Sequence, residues 1–235
     1  MYHILIRGRN CAKYIHDCLE SVKNQSHTDW RAHVVLDAHT DESYDIAREC
    51  QDLGITIRLN TERKGLCYNI YNPIKWMHPK DEDVISILDA DDTLHYHALK
   101  VVNKVYREYP DTLITHGSYI KRSKGRTTKI SRAYPPGADP RTHSWRCSHL
   151  KTLKYKVFKH IPESYFKDNA GNWLDAASDL ALMIPAMEIA GMEHVRFVPK
   201  PIYFWNDSYG GNTKRELQKV CENIVRCKKA LKRRF

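Results

Sequence analysis

In the stretch VISILDADDTLHYHALK, residues 84–100, an apolar run ends on Asp89, Ala90, Asp91 and Asp92 before a helical pattern begins. Two carboxylates two positions apart at a strand end can turn toward one point once the chain leaves the pleat, and hard divalent cations take such oxygen ligands. Two carboxylates do not fill a coordination shell. Phosphate oxygens or waters must complete it, the usual arrangement for Mg2+ or Mn2+ bound with a phosphorylated ligand. The competing account makes Asp92 a helix cap and its neighbours complements to the helix dipole. The acidic and glycine positions of an EF-hand are absent after Asp91, and the chain has neither a Walker lysine loop nor G-x-G-x-x-G.

Periodicity shows which elements must position these acids. His3 to Ile6 reads as a short buried strand, followed by the polar turn Arg7 to Asn10 and a helix with Ile15, Cys18, Leu19 and Val22 on one face. His33 to Leu36 is a second strand running into Asp37 to Asp41, and Ile46, Ala47, Cys50 and Leu53 continue as an amphipathic helix. A third strand, Ile55 to Leu59, precedes Arg63, Lys64, Gly65 and another helix. Val84 to Leu88 is the fourth, with Ala98, Val101, Val102 and Val105 marking the next helical face. Strand, polar loop and helix thus repeat four times, which predicts an α/β fold: a Rossmann-like, mostly parallel central sheet with helices on both faces. Ligands bind beyond the carboxyl ends of such strands. Residues 7–10, 37–41, 63–65 and 89–92 sit at those ends, so four polar loops converge on one crevice.

Residues 111–235 are less regular. Leu113 to His116 reads as a strand, the basic stretch after it with the turn-forming Tyr134 to Gly137 as a hairpin or mobile loop, and Ser178 as the cap of a helix that Pro185 bends or shortens before Gly191. Val195 to Val198 and Pro201 to Trp205 read as edge strands, and Lys214 to Lys232 as a final basic helix. A length of 235 residues suits one domain. No run approaches the roughly 20 apolar residues that span a bilayer, and the first ten residues are no secretory signal, so a soluble, cytoplasmic protein is expected. Seven cysteines without a C-x-x-C pair predict reduced thiols, mostly in the core. The formal charge of +10 asks for an anionic partner. It gathers at Lys121, Arg122, Lys124, Arg126, Lys129 and Arg132, and again at Lys228, Lys229, Lys232, Arg233 and Arg234. Nucleotide phosphates, an anionic membrane surface and nucleic acid would each satisfy it.

HILIRGRN, ESVKNQSHTDW, VVLDAHTDES, RKGLCYN and ILDADD, in that order and spacing, resemble the nucleotide-binding half of a family 2 glycosyltransferase with a GT-A fold. Its members read approximately as P-T-Y-N after the first strand, then S-V-x-x-Q-T, V-V-D-D-G-S-T-D and F-L-D-A-D-D. The match covers about residues 3–110 and is specific as a set, although each motif alone is weak. The resemblance implies a single GT-A domain, with a nucleotide-sugar-binding half at 1–110 and an acceptor-binding half at 111–235. It implies that Asp37 binds the uracil ring, Leu36 standing in place of the preceding aspartate. Lys64 and Gly65 would approach the nucleotide, Asp89 would be the acid near the ribose, and Asp91 the main metal ligand. Arg7 and Arg9 replace the family's proline and tyrosine, and their charge favours a diphosphate.

NWLDAASDLALMIPAMEIAG resembles the region where a carboxylate at a helix start acts as general base, implying Asp179, with Asp175 as runner-up. Where many relatives carry a histidine near the last strand, this chain has Asn206, Asp207 and Ser208, which argues against a metal role for Asp207. His149, beside Lys151, is a candidate for the acceptor or diphosphate side, a structural histidine being the alternative. Trp145, Trp173 and Trp205 are candidates for stacking on sugar faces, against ordinary core packing. A weaker resemblance links H-L-K-T and S-D-L-A-L-M-I-P-A-M-E-I-A-G to compact glycosyltransferases of large algal viruses that build capsid glycans.

The function so implied is a metal-dependent, inverting transfer of a hexose or deoxyhexose from a nucleoside-diphosphate sugar, UDP-sugar foremost, to a hydroxyl of a glycan or glycoprotein. Mn2+ or Mg2+ would be the cofactor, with peripheral contact to an anionic membrane as a compatible partner surface. Two rivals stand beside it. A nucleotidyltransferase would attack phosphorus instead of carbon, and a basic nucleic-acid-binding module would rest on residues 121–132; nucleic acid is the disfavoured partner.

Overall fold

The structure, a computed structural model, describes residues 1–127, 131–208 and 215–235. The first half lays down the expected alternation: β1 (Tyr2–Gly8), α1 (Ala12–Lys23), β2 (Trp30–Asp37), α2 (Ser43–Glu49), β3 (Ile55–Asn60), α3 (Tyr68–Trp76) and β4 (Val84–Asp89). It continues through β5 (Thr93–Leu94), α4 (Ala98–Glu108), β6 (Ile114–Lys121), β7 (Arg126–Thr127), β8 (Ser148–Lys154), α5 (Tyr155–Phe158), α6 (Ser178–Ala190), β9 (Val195–Trp205) and α7 (Arg215–Cys227). The strands form one sheet in the order β3-β2-β1-β4-β8-β6-β9-β5, with β7 paired to β6. β3, β2, β1 and β4 run parallel, as do β6 and β9, while β8 lies antiparallel between β4 and β6.

Alternation along each strand divides the core in two. Leu5, Val35, Ile85 and Ile87 join the side chains of α3, α5, α6 and α7 on one face. Ile4, Ile6, Val34, Leu36 and Leu88 meet α1, α2 and α4 on the other. A mostly parallel sheet covered on both faces is therefore present. All seven cysteines are free and six are buried. Among the described residues no helix is long and apolar enough to cross a membrane.

Several expectations from the sequence are corrected. α2 ends at Glu49, and Leu53 lies fully exposed in the following turn instead of on a helix face. β8 was not foreseen at all. The two supposed edge strands are one interior strand, β9, whose pairing with β6 slips between Gly117 and Tyr119. That bulge accommodates the exposed Pro199 and Lys200 without ending the ladder. α6 runs through Pro185 unshortened because it is buried on nearly every side, so tertiary packing outweighs the broken helical bond. Ser178 does not cap it; the N-cap position is Ala177, in a left-handed conformation with φ of 52°. Within the basic stretch β6 and β7 form a hairpin, and Pro136 and Gly137 lie in a separate turn. α7 ends at Cys227, short of Lys232. Lys129 and Lys214 lie outside the described residues.

Candidate functional site

The carboxyl ends of β1, β2 and β4 open on a cleft of about 530 Å3. Arg7, Arg9, Asp37, Asp89, Asp91, Asp175 and Asp179 all line it, the last two brought in by the segment that enters α6. Parallel strands deliver their ends to one edge, which is why residues so distant in sequence meet.

Asp37 is already engaged. Its Oδ1 accepts from Asn60 Nδ2 at 2.9 Å and from the Lys64 amide at 2.9 Å, and its Oδ2 accepts from the Gly65 amide at 3.0 Å. Gly65 has φ of +85°, and a Cβ there would meet Asp175 Oδ1 at 3.0 Å, so the tight turn calls for glycine. Lys64 thus contributes its backbone, while its ammonium turns to Glu62 at 3.2 Å and does not line the cleft. Across the turn Asp175 accepts from the Leu66 amide at 3.2 Å and from the Arg63 guanidinium. Asp175 is a clasp on this loop, which leaves Asp179 as the freer acid.

Arg7 grips Asp89 Oδ1 through Nη2 at 2.6 Å and Nε at 3.1 Å, and its Nη1 donates to Ser178 Oγ at 3.2 Å. Burial opposes the charge of Asp89, but Arg7, foremost among the cations and joined by His149 and Lys151, brings the carboxyl below its ordinary range. Asp91 has no such partner. Its side chain makes no hydrogen bond to another described residue, and burial, then the charge of Asp89, push it up to about 6. A bare carboxylate beside a charged one, in an open cleft, is relieved by a cation, so the residues present fit a divalent metal at Asp91. Asp207 accepts from the Ser123 amide at 3.0 Å and is held by that hairpin, away from the cleft.

Asp92 is not the cap of α4, which starts six residues later after β5 has intervened. It is 1% exposed and accepts from the Tyr203 hydroxyl and the Asn206 amide, each at 2.6 Å. Burial, then Asp89 and Asp91, push it up to about 8. Its work is to pin the end of β9 to the β4 corner.

A second pocket, of about 270 Å3, is lined by Tyr119, Trp145, Cys147, Ser148, His149, Asp179 and Trp205. Asp179 is the one lining residue common to both cavities. Lys121 Nζ sits 5.1 Å from the Trp205 ring centroid at the rim. His149 stacks on Tyr203 at 4.3 Å, and burial, then Lys151, push its ring down to about 3, so it is neutral at physiological pH. Lys151 Nζ lies 3.2 Å from Asp179 Oδ2. Burial raises the Asp179 carboxyl, but Lys151, His149 and Arg7 together more than reverse that and hold it well below the usual range. Trp173 lines neither cavity; it packs against Tyr68 and Tyr71 with Lys167 above it.

Sequence reasoning missed the Arg63–Asp175 clasp, Ser178 as a partner of Arg7, and Tyr119 in the pocket wall. Arg63 stood within a quoted motif and was findable; nothing in the sequence marks Tyr119.

The glycosyl transferase family 2 model matches residues 4–169. No curated protein sequence matches. Among solved structures, residues 1–349 of S. aureus TarS align with a TM-score of 0.66 at 17% identity, covering 95% of this chain and 69% of that one. The same fragment in complex with UDP-GlcNAc gives 0.65 at 15% identity, over 87% and 58%. The mannosyltransferase PcManGT of Pyrobaculum calidifontis, in complex with GDP-Man and Mn2+, gives 0.63 at 19%, over 98% and 65%. The chain spans 38% of a longer TarS structure. At these identities the likeness is one of fold. The family model covers well over half of the chain and the fold agrees with it: the chain belongs to glycosyl transferase family 2 and is a glycosyltransferase of GT-A fold.

Proposed function

We propose that this glycosyltransferase moves a hexose or deoxyhexose from a nucleoside-diphosphate sugar, UDP-sugar foremost, onto a glycan hydroxyl in one inverting displacement. The observation that carries the reading is the place of Asp179, the wall shared by the acidic cleft and the aromatic pocket. A donor in the one and an acceptor in the other meet at its carboxylate.

Asp179 is ionised at neutral pH, so it can take the acceptor proton as the hydroxyl oxygen attacks the anomeric carbon. The bond from that carbon to the diphosphate breaks as the new one forms, so one base suffices and no protein nucleophile is required. Arg7 and Arg9 supply positive charge beside the diphosphate, Asp37 the base-side wall with the Lys64 amide, and Asp89 the ribose side. Trp145 and Trp205, with His149 in the same pocket, are walls on which an acceptor sugar can stack. Asp91 would hold Mn2+ or Mg2+, which when bound offsets charge on a departing diphosphate. UDP-GlcNAc on TarS, and GDP-Man with Mn2+ on PcManGT, support a nucleotide-sugar donor and a divalent cation. Residues 1–110 would then serve the donor and residues 111–235 the acceptor, a glycan or glycoprotein, with the basic segments free to lie on an anionic membrane.

Product analysis is the test. Incubation with UDP-sugars and Mn2+ should release UDP; release of pyrophosphate would instead support a nucleotidyltransferase. Asp91→Asn should abolish Mn2+-dependent UDP binding in calorimetry. Asp179→Asn should keep that binding and lower turnover about 10²- to 10⁴-fold. Undiminished turnover in Asp179→Asn would sink the assignment of the base.

A further inference from the structure

A lysine is expensive to bury unless its ammonium is paired. Lys151 is 3% exposed in the middle of β8, opposite Ile87 of β4, where the neighbouring Leu150, Thr152 and Leu153 are buried without charge. Sheet packing gives no reason for a cation there. Its Nζ reaches the wall between the two cavities, 3.2 Å from Asp179 Oδ2 and 3.2 Å from His149 Nδ1. The two members of the ion pair differ in exposure: 4% for the lysine side chain, 38% for the aspartate. The ammonium therefore stands on the protein side of the carboxylate. His149 is itself stacked on Tyr203, whose hydroxyl donates to Asp92, so the lysine is held from behind by a row of ordered groups.

We propose that Lys151 is a positioning residue for sugar transfer: steadied by His149, it fixes one oxygen of Asp179 and thereby presents the other to the acceptor hydroxyl. The inference rests on the reading of Asp179 as the base. The charged and titratable groups facing Asp179 are Lys151 and His149 of β8, Arg7 of β1, and the thiols of Cys147 and Cys67, both pushed up by burial and so neutral. Among these Lys151 is the strongest opponent of burial. Without it, fewer groups oppose burial and Asp179 should bind its proton more tightly.

Two readouts test this in the full chain. In a carboxyl 13C NMR titration, with the Asp179 signal identified by its loss in Asp179→Asn, the wild-type carboxyl should stay ionised through the mildly acid range. In Lys151→Met its midpoint should rise by at least about one unit. The acid limb of kcat/KM against pH, with a UDP-sugar and a glycan acceptor, should move up with it. Lys151→Arg should bring both back toward wild type. Lys151→Gln removes the charge and keeps a polar side chain, and gives the same readouts should the methionine variant not fold; retained UDP binding certifies either fold. An Asp179-dependent wild type whose acid limb and NMR midpoint stay put in the neutral variants overturns the role of Lys151 alone. Wild-type transfer that Asp179→Asn leaves intact overturns the base reading and this proposal with it.

Discussion

Asp89 and Asp91 stand two positions apart, yet their carboxyls are driven in opposite directions because only Asp89 has a guanidinium against it. Arg7 is the hinge of that difference and also reaches Ser178 at the start of α6. Replacing it with methionine should strip Asp89 of its partner and leave Ser178 Oγ without a donor. Because Asp89 keeps 36% of its side-chain surface in solvent, the loss of stability should be held to roughly 1–2 kcal/mol, read by urea denaturation. UDP binding should weaken as well. Arg7→Lys should recover the charge but not the fork, so its affinity should fall between the two. Asp37 and Asp89 were legible in the sequence because each closes a strand, with Asp91 two positions on, whereas Asp179 came from the family resemblance of the segment that opens α6. What Arg7 does was not legible, since its partner is 82 positions away and arginine replaces the residue the family pattern has there.

At the scale of elements, Asp92 shows why a correct motif can mislead about its own last letter. Helix-start chemistry and a helical pattern nearby suggested a cap, but β5 intervenes and the carboxyl ties to β9. With Asp92 pushed up to about 8, the neutral acid prevails at pH 7, and asparagine is its close mimic. Asp92→Asn should therefore change the unfolding free energy little. Asp92→Ala leaves the Asn206 amide and the Tyr203 hydroxyl buried without an acceptor and should cost about 2–4 kcal/mol, measured in the same denaturation experiment. β8 escaped the sequence reading for a related reason. Histidine and two lysines within Ser148–Lys154 mask its apolar pattern, and only the fold reveals that Lys151 is inside. β9 was split in two because Pro199 and Pro201 read as breaks, whereas a bulge carries the ladder past them.

For the molecule as a whole, buried histidines contribute to the loss of stability in acid. His116 is fully buried in β6, neither ring nitrogen has a hydrogen-bond partner among the described residues, and burial pushes it down to about 4. In the unfolded chain it titrates near its ordinary value of about 6.5. Below that pH the unfolded state takes up a proton that the folded state refuses, so stability is full above about 6.5 and falls as pH drops toward 4, by at most roughly 3 kcal/mol. A Tm profile should show this slope, and His116→Phe, packed against Tyr134 and Phe197, should make it shallower, His33 and His149 supplying the remainder.

The loop after β3 bears on how such an enzyme can be re-engineered. Asp37 holds its amides from one side, Asp175 holds Arg63 and Leu66 from the other, and the Cys67 amide continues to the Leu174 carbonyl. Residues before and after position 110 are thus sewn together at the rim of the cleft. A chimaera that grafts a foreign second half onto residues 1–110 inherits the loop without its counterpart. A graft that exchanges the second half must therefore carry the stretch from Leu174 to Asp179 over unchanged to keep this loop in place.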